Sequence, residues 1–268
     1  MTHSEIVDVA GLLHRLSQLV ARAADAITAI AADDASVRRK ADGSPVTAAD
    51  EAAEAVLLDG LAVLLPGLPV VSEEQTARHG APPLGPIFLL VDPLDGTKEF
   101  VAGREDYTIN LAIVSRGVPV LGIIAAPALG LLWRGSAGSA ERLRLRDGAA
   151  HDPEQIRTRA WPEHGATALV SRSHSDAETE RFLTQLPQIK RQACGSALKF
   201  CRLAEGAADV YSRLGTVCEW DIAAGHALVA AAGGKVTRPD GSPLPYGQAA
   251  DGFRVSGFVA WGDSAMRF

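Results

Sequence analysis

Two aspartates stand just past a short apolar run, where a strand would give way to a turn. The run, Ile87-Phe88-Leu89-Leu90-Val91, is bounded by prolines and predicts a buried strand. Pro93 fixes its own φ and Asp95-Gly96 is typical of a turn, so the chain should bend sharply beside the acids. That bend can point Asp92 and Asp95 toward one centre, where they could hold a divalent metal ion. The alternative is an ordinary turn in which Asp95 caps the next segment.

Two other acids stand where they could complete such a site. Glu73 follows the β-prone run Pro69-Val70-Val71-Ser72, and Asp221 lies in Glu219-Trp220-Asp221-Ile222, where a helix is expected to begin. Taken alone, Glu73 suits a solvated loop acid and Asp221 a favourable charge at a helix N-terminus. Only their occurrence together favours a metal site.

The string Asp92-Pro93-Leu94-Asp95-Gly96-Thr97 resembles the metal signature of the inositol monophosphatase-like superfamily of lithium-sensitive phosphatases. The likeness runs from about residue 41 to residue 234, and it includes a second signature that begins at Glu219. The resemblance implies that Glu73 orients water as well as binding metal. The implied metal ligands are the carboxylates of Glu73, Asp92, Asp95 and Asp221 and the backbone carbonyl of Leu94.

This ligand set contains only oxygen atoms. Magnesium prefers oxygen ligands near octahedral geometry and commonly joins a few carboxylates to a substrate phosphate. Neither signature holds a thiolate or an imidazole, which disfavours zinc. We therefore expect two or three Mg²⁺ ions as cofactors. Two metals about 3.5–4 Å apart can stabilise both the attacking and the leaving oxygen and lower the pKa of a bound water, without a covalent nucleophile.

A threonine and an aspartate form the implied water-activating pair. Thr47 and Asp50 have the spacing of a helix capping box, which would account for them without catalysis. In the resembled family, the matching Asp50 accepts a hydrogen bond from Thr97, whose hydroxyl positions the nucleophilic water. Both roles can coexist at one helix end. The amides of Gly96 and Thr97 would cradle the phosphoryl oxygens, as helix N-termini do.

The residues after the first signature indicate the branch of the family. Lys98-Glu99-Phe100 resembles the 3′(2′),5′-bisphosphate nucleotidases of the bacterial CysQ type. Inositol monophosphatases carry an acid seven residues before the second-signature aspartate to hold a ring hydroxyl, and this chain has Leu214 there.

The resemblance thus implies hydrolysis of the 3′-phosphate of adenosine 3′,5′-bisphosphate to AMP and phosphate, which clears a by-product of sulfate assimilation, and it leaves action on the sulfated parent nucleotide open. An inositol or sugar monophosphatase is the alternative enzyme. A catalytically silent metal-binding regulatory relative is the alternative of another class, which the presence of every implied ligand argues against.

Five further residues are candidate substrate contacts. They lie in two segments and one isolated position that resemble the nucleotidase branch: Ser171, His174, Ser196, Lys199 and Arg213. Lys199 and Arg213 could meet a second phosphate through charge-assisted hydrogen bonds. Each has an alternative, since Lys199 could be a surface helix residue, Arg213 a loop charge and His174 a solvated histidine.

Composition favours one soluble enzyme, and the resemblance implies a small phosphorylated molecule as its substrate. The formal net charge of −6 disfavours binding of a nucleic-acid polymer, and no apolar stretch is long enough to span a bilayer. The first residues carry acids and no basic region, so we expect no targeting segment. The three cysteines form no paired motif, which suits reduced thiols in the cytoplasm. Peripheral attachment at the inner membrane and the choice between monomer and dimer stay open.

The pattern of elements predicts a layered α/β fold. We expect an N-terminal α+β half, residues 1–160, with an antiparallel sheet and most metal ligands. We expect a C-terminal α/β half, residues 161–268, with a mixed sheet, Asp221 and substrate contacts, and one compact catalytic unit made of both. The resemblance implies the alternating helix-sheet layers of the sugar-phosphatase fold. Predicted helices cover residues 3–32, 47–65, 176–186, 196–205 and 221–232; predicted strands cover 70–72, 87–92, 107–115, 118–126, 131–134, 167–171, a short piece near 190, 209–211 and 235–237.

Overall fold

A computed structural model of the chain describes residues 9–30, 37–39, 45–172 and 176–266. Its helices are α1 Val9–Thr28, α2 Ala48–Leu64, α3 Glu73–His79, α4 Thr97–Val101, α5 Ala177–Gln185, α6 Leu198–Ala204 and α7 Glu219–Ala231. Its strands are β1 Arg38–Arg39, β2 Pro45–Val46, β3 Val70–Ser72, β4 Ile87–Asp95, β5 Thr108–Ser115, β6 Val118–Ala126, β7 Leu131–Ser136, β8 Ser139–Arg146, β9 Ala149–Gln155, β10 Thr167–Ser171, β11 Lys190–Cys194, β12 Val210–Arg213, β13 Val217–Cys218, β14 Lys235–Thr237, β15 Arg254–Val255 and β16 Phe258–Trp261.

The larger sheet has seven strands in the order β3-β4-β5-β6-β7-β8-β9. From β4 to β9 every neighbouring pair is antiparallel, but β3 pairs with β4 in parallel. The N-terminal sheet is therefore antiparallel as predicted, except at its first edge, where β3 is parallel to β4. A parallel pair needs a crossover between its strands, and α3 lies in the connection from β3 to β4.

Both faces of this sheet are buried, which explains the continuous apolar run in β4. Leu89 and Val91 pack with α1 and α2, whereas Phe88 and Leu90 pack with α7 and the second sheet. The two sets alternate because successive side chains of a strand point to opposite faces. The sheet is thus enclosed between two helical layers.

The second sheet has the order β11-β10-β12-β16-β14 and is mixed, as predicted. The pairs β10–β11 and β10–β12 are parallel, and the pairs β12–β16 and β14–β16 are antiparallel. Helices α6 and α7 pack on one face, and α5 covers the other through Phe182 and Leu183. The layers therefore alternate as helix, sheet, helix, sheet, helix, which confirms the predicted layered α/β fold.

Three glycines bring α7 close to its neighbours. A Cβ added to Gly122 of β6 would lie 2.2 Å from the carbonyl oxygen of Ala224, and one added to Gly225 would lie 2.2 Å from the ring of Phe200. A Cβ on Gly135 of β7 would lie 2.9 Å from Leu228. Helix α7 therefore packs so closely against its neighbours that these three positions have no room for a side chain.

Several predicted elements differ in extent from the observed ones. Strands β8 and β9 form a hairpin that the sequence prediction missed. The hairpin carries many charged side chains, some of them in ion pairs such as Arg142–Glu154. Its sequence therefore lacks the clear alternation of apolar and polar residues by which a strand is predicted. The short helix α3 and the strands β13, β15 and β16 were also missed.

Helix α1 is amphipathic: Leu12, Leu16 and Leu19 lie on its buried face, whereas Val9 is 37% exposed. The part of its predicted extent before residue 9 lies outside the described residues. Within the ranges that the structure describes, none of the helices combines the length and apolarity that crossing a bilayer requires.

Candidate active site

Three carboxylates from three different elements meet at the carboxyl ends of β3 and β4. Glu73 begins α3 directly after β3, and the parallel register places Ser72 opposite Val91, beside Asp92. Asp221 stands in the first turn of α7. One oxygen from each of Glu73, Asp92 and Asp221 lies within 4.8 Å of the others, a spacing at which all three could contact one metal ion.

Asp95 lies beside this cluster and is fixed by the C-terminal half of the chain. The backbone between Asp92 and Asp95 carries an irregularity in its pairing with β5, and it turns the Asp95 side chain toward residues 196–197. The amide of Ala197 donates to Asp95 Oδ2 at 2.7 Å, and the hydroxyl of Ser196 lies 2.9 Å from the Asp95 carbonyl oxygen. Asp95 therefore does not cap the segment after it, and that alternative is wrong.

The electrostatics of the acids favour a bound cation. Burial, followed by the neighbouring carboxylates of Glu73 and Asp95, raises the pKa of Asp92 well above its ordinary value. Burial, then Asp95 and Glu73, raises the pKa of Asp221 to about 8. Burial raises the pKa of Asp95 as well. Without a cation these acids cannot all be ionised at neutral pH, and the cluster fits a group that supplies positive charge.

One thiol stands next to this all-oxygen set. Cys218 precedes the second signature and lines the same cleft, so a thiolate there would alter the choice of metal. Burial, and next the Asp221 carboxylate, raise the pKa of Cys218 to about 12. The thiol is therefore protonated at neutral pH, and the donors around the cluster are oxygens. All three cysteines of the chain are free.

Thr97 and Asp50 are hydrogen-bonded, as the resemblance implies. Thr97 Oγ1 lies 3.1 Å from Asp50 Oδ1 and 3.2 Å from the Leu94 carbonyl oxygen. Its single hydrogen can go to only one of them at a time. Asp50 Oδ2 accepts from the amide of Thr47 at 2.7 Å, and the Thr47 hydroxyl in turn accepts from the amide of Ala49. Capping and contact with Thr97 thus coexist, one on each oxygen of the same carboxylate.

The acids and the threonine open into a cleft of about 490 Å³, which residues 45–99 line together with residues 171–254. Asp50 lies behind Thr97 and does not line it. His174 lies outside the described residues. The predicted site residues that do line the cleft are Glu73, Asp92, Leu94, Asp95, Gly96, Thr97, Ser171, Ser196, Lys199, Arg213 and Asp221.

The two predicted cations differ in their environment. Lys199 is 2% exposed, so it is not a surface helix residue, and its ammonium donates to the carbonyl oxygens of Ser196 at 2.8 Å and Cys194 at 3.2 Å. Burial lowers the pKa of Lys199, an effect that the Asp95 carboxylate partly offsets. Arg213 ends β12 and is half-buried, so it is a strand residue rather than a loop charge.

The sequence prediction missed the buried acid that joins the two halves. Asp106 Oδ2 accepts from the amide of Gly195 at 2.7 Å, and Arg172 lies 3.1 Å from Asp106 Oδ1. Ser196 Oγ also lies 2.9 Å from the Asp106 carbonyl oxygen. These bonds hold the segment whose Ala197 amide binds Asp95. No local motif marks Asp106, because its partners lie 66 to 90 residues away in the sequence.

A model of the inositol monophosphatase family matches residues 8–257 of the chain. The match is wider than the predicted range of residues 41–234. The 3′(2′),5′-bisphosphate nucleotidase CysQ of Escherichia coli strain K12 is 40% identical over 251 residues, which cover 91% of this chain and 99% of that protein.

Solved structures show the same likeness. The crystal structure of CysQ from Bacteroides thetaiotaomicron superposes with a TM-score of 0.77 at 30% identity, covering 94% of this chain and 97% of that one. An inositol monophosphatase from Anabaena (Nostoc) sp. PCC 7120 superposes with a TM-score of 0.72 at 23% identity, covering 95% of this chain and 91% of that one, and this second likeness concerns the fold alone.

Proposed function

The chain belongs to the inositol monophosphatase family, and we propose that it is a magnesium-dependent phosphatase that removes the 3′-phosphate of adenosine 3′,5′-bisphosphate to give AMP and phosphate. The observation that carries the proposal is the cluster of Glu73, Asp92 and Asp221 in the cleft that Thr97 also lines. The choice of substrate follows the nucleotidase that is 40% identical over nearly its whole length.

We assign the metal to the acids at the ends of β3 and β4 and the start of α7. The carboxylates of Glu73, Asp92, Asp95 and Asp221 and the carbonyl of Leu94 would hold two or three Mg²⁺ ions. When bound, magnesium supplies positive charge to the phosphoryl oxygens and makes a nearby water more acidic. The raised pKa values of Asp92 and Asp221 support the assignment, since both groups gain most from a cation.

The proposed work of the protein itself is to orient one water molecule against the phosphate. When Thr97 Oγ1 donates its hydrogen to Asp50 Oδ1, its lone pairs are free to accept a hydrogen bond from that water. Asp50 is held by Thr47 on its other oxygen, so the acceptor is rigid. Glu73, at the start of α3, would orient the same water. The amides of Gly96 and Thr97 are proposed to bind the phosphoryl oxygens.

The chain lacks one feature expected of an inositol phosphatase. Leu214 takes the place of the acid that holds a ring hydroxyl, and its side chain packs against the apolar cluster beneath α5 instead of lining the cleft. An apolar side chain cannot accept a hydrogen bond from a hydroxyl group. We therefore favour the nucleotide over the inositol phosphate, with Ser171, Ser196 and Arg213 as substrate contacts.

Lys199 acquires a different role from the one predicted. Its ammonium donates to two backbone carbonyl oxygens, so we propose that it holds residues 194–196 in place and acts on the substrate through them. The contact proposed for His174 stays a prediction. So do the action on the sulfated parent nucleotide, lithium inhibition, a cytoplasmic role in sulfur metabolism and the division of the chain at residue 160.

The experiment that tests the function is a phosphate-release panel. We expect the highest kcat/KM for adenosine 3′,5′-bisphosphate among that nucleotide, inositol 1-phosphate and fructose 1,6-bisphosphate, with activity lost in chelator and restored by Mg²⁺. A higher kcat/KM for inositol 1-phosphate would replace the proposal by the monophosphatase alternative. Absence of phosphate release from every substrate in the presence of Mg²⁺ would instead favour the silent regulatory relative.

A further inference from the structure

A second arginine faces the cleft from an element that the sequence prediction missed. Arg254 begins β15, which pairs with β13 so that Arg254 lies opposite Cys218, immediately before α7 and its Asp221. Arg254 lines the cleft together with Arg213 and Thr216. It also lines an adjoining pocket of about 340 Å³, so its side chain stands where the cleft and that pocket meet.

The guanidinium of Arg254 is available to a ligand. Its side chain is exposed, and it makes no ion pair or side-chain hydrogen bond with the residues that the structure describes. Arg159 and Arg172, by comparison, contact the carboxylates of Asp209 and Asp106. Among the other cations of the cleft, Lys199 is occupied by backbone carbonyls, and Lys98 follows the Gly96-Thr97 turn.

A buried acid that the proposed mechanism does not use fixes the backbone beside Arg254. Glu219 is fully buried, and its carboxylate accepts from the amides of Gly247 and Gln248 at 2.7 and 2.8 Å. The amide of Glu219 donates to the carbonyl oxygen of Phe253 at 2.8 Å. The loop before Arg254 is therefore tied to the first residue of α7, one turn from the metal cluster.

The residue before Arg254 adopts an unusual conformation. Phe253 is 2% exposed and has a φ of +58°, which side-chain-bearing residues rarely adopt. Its amide donates to the carbonyl oxygen of Gln248 at 3.0 Å, and its ring lies against Trp220. Packing and hydrogen bonds hold this conformation, and together they direct residue 254 to the rim of the cleft.

We propose that Arg254, together with Arg213, binds the phosphate group of the substrate that is not hydrolysed. The inference rests on the proposed function and adds a residue to its substrate site. A guanidinium presents paired donors that match two phosphate oxygens, and such charge-assisted bonds are about twice as strong as neutral ones. Arg254 selects a bisphosphorylated nucleotide over a monophosphorylated one, because only the former carries a second phosphate for this guanidinium to bind.

The test compares two substrates that share the phosphate to be cleaved. Adenosine 3′,5′-bisphosphate carries the second phosphate and adenosine 3′-monophosphate lacks it. We expect Arg254→Gln to raise KM for the bisphosphate roughly 10- to 100-fold, the range for a lost bond to a charged group, and to leave KM for the monophosphate unchanged. Arg254→Lys should restore only part of the difference, since an ammonium cannot bind two oxygens in a fork.

Arg238→Gln is the matched control. Arg238 lines the adjoining pocket but not the cleft, so its removal changes the local charge equally and should leave both KM values unchanged. Equal effects of Arg254→Gln on the two substrates, or no effect on either, would overturn the proposal. If Arg254→Gln fails to fold, Arg254→Lys makes the same comparison.

A binding measurement separates this inference from the proposed function. Calorimetric titration with 5′-AMP, which retains only the second phosphate, and with adenosine, which has none, needs no turnover. Wild-type protein should prefer 5′-AMP, and Arg254→Gln should lose that preference. A preserved preference overturns the role of Arg254 even if the enzyme is an active nucleotidase. A lost preference in a protein that releases no phosphate supports the role of Arg254 and rejects the reaction.

Discussion

At the scale of single residues, burial of the acids of the cleft, and next their mutual repulsion, makes the stability of the metal-free protein depend on pH. Burial raises the pKa of Asp221 to about 8, whereas an aspartate in the unfolded chain titrates near pH 4. The folded, metal-free protein therefore binds more protons than the unfolded chain. Its stability is greatest below the unfolded pKa and is lost as the pH rises through about 8.

The first prediction follows from this decrease of stability with rising pH. In chelator, the free energy of unfolding should fall by about 1 kcal/mol for each pH unit between pH 6 and pH 8. Asp221→Asn removes this titration, so its slope should be shallower, and Mg²⁺ should abolish the slope in the wild type. Thermal or urea unfolding at several pH values measures it. Parallel curves for the two proteins would contradict the raised pKa.

The second prediction separates metal ligands from the water-positioning pair. Asp92→Asn should weaken Mg²⁺ binding by at least about tenfold, since even the outer partners of ligands contribute 10- to 100-fold. Thr97→Ala should leave Mg²⁺ affinity unchanged and lower kcat by roughly 10²- to 10⁴-fold. Calorimetry and steady-state kinetics distinguish the two. Thr97→Ser, which keeps the hydroxyl, is the control and should retain most of kcat.

The acids could be predicted at this scale because their signatures are local in the sequence. The environment of Lys199 could not, since it depends on the carbonyl oxygens of Cys194 and Ser196 and on burial beneath neighbouring layers. The role proposed for Arg254 could not be predicted either, because no sequence motif surrounds this residue. Its place in the cleft depends on the pairing of two-residue strands and on the fixed conformation of Phe253.

At the scale of elements, helix α7 depends on close packing against the larger sheet. The third prediction is that Gly122→Ala destabilises the protein by about 1–3 kcal/mol, the usual range for overpacking, because its Cβ would lie 2.2 Å from the Ala224 carbonyl oxygen. Since α7 carries Asp221, the same change should weaken Mg²⁺ binding. Chemical unfolding and calorimetry measure the two effects.

Gly85→Ala provides the control for that substitution. The nearest atom to its added Cβ is the carbonyl oxygen of Ile87 at 3.8 Å, an ordinary contact. Stability and Mg²⁺ affinity should both stay near the wild-type values. If Gly122→Ala lowers stability but leaves Mg²⁺ affinity intact, then α7 keeps its place and the link to Asp221 is wrong.

Most elements with buried faces were predicted because their apolar patterns are continuous or periodic, although the buried strand β16 was missed. The β8–β9 hairpin was missed because its strands are edge-proximal and charged. A signal was present in the two-residue connection Asp147-Gly148, where both residues have positive φ, as they do at the predicted turn Arg116-Gly117. Such a pair is typical of the tight turns that match the twist of a hairpin.

At the scale of the whole molecule, the candidate active site exists only where distant parts of the chain meet: Glu73 and Asp92 come from one part and Asp221 from another. The sequence indicated two halves with a shared cleft but could not show how they dock. That arrangement depends on bonds such as Ala197 to Asp95 and Gly195 to Asp106, which join residues 102 and 89 positions apart. Long-range pairing of this kind leaves no pattern in either segment alone.

The distance along the chain between the acids of the site has a consequence for how fast the protein folds and unfolds. We expect Asp221 to reach Glu73 and Asp92 only after the intervening elements have formed, so that a transition state without this docking would offer the ion few ligands. The fourth prediction is that Mg²⁺ slows unfolding by the full factor by which it stabilises the protein, and leaves the refolding rate unchanged. Stopped-flow denaturant jumps with and without Mg²⁺ measure both rates. If Mg²⁺ instead accelerates refolding, the acids come together before the transition state for folding.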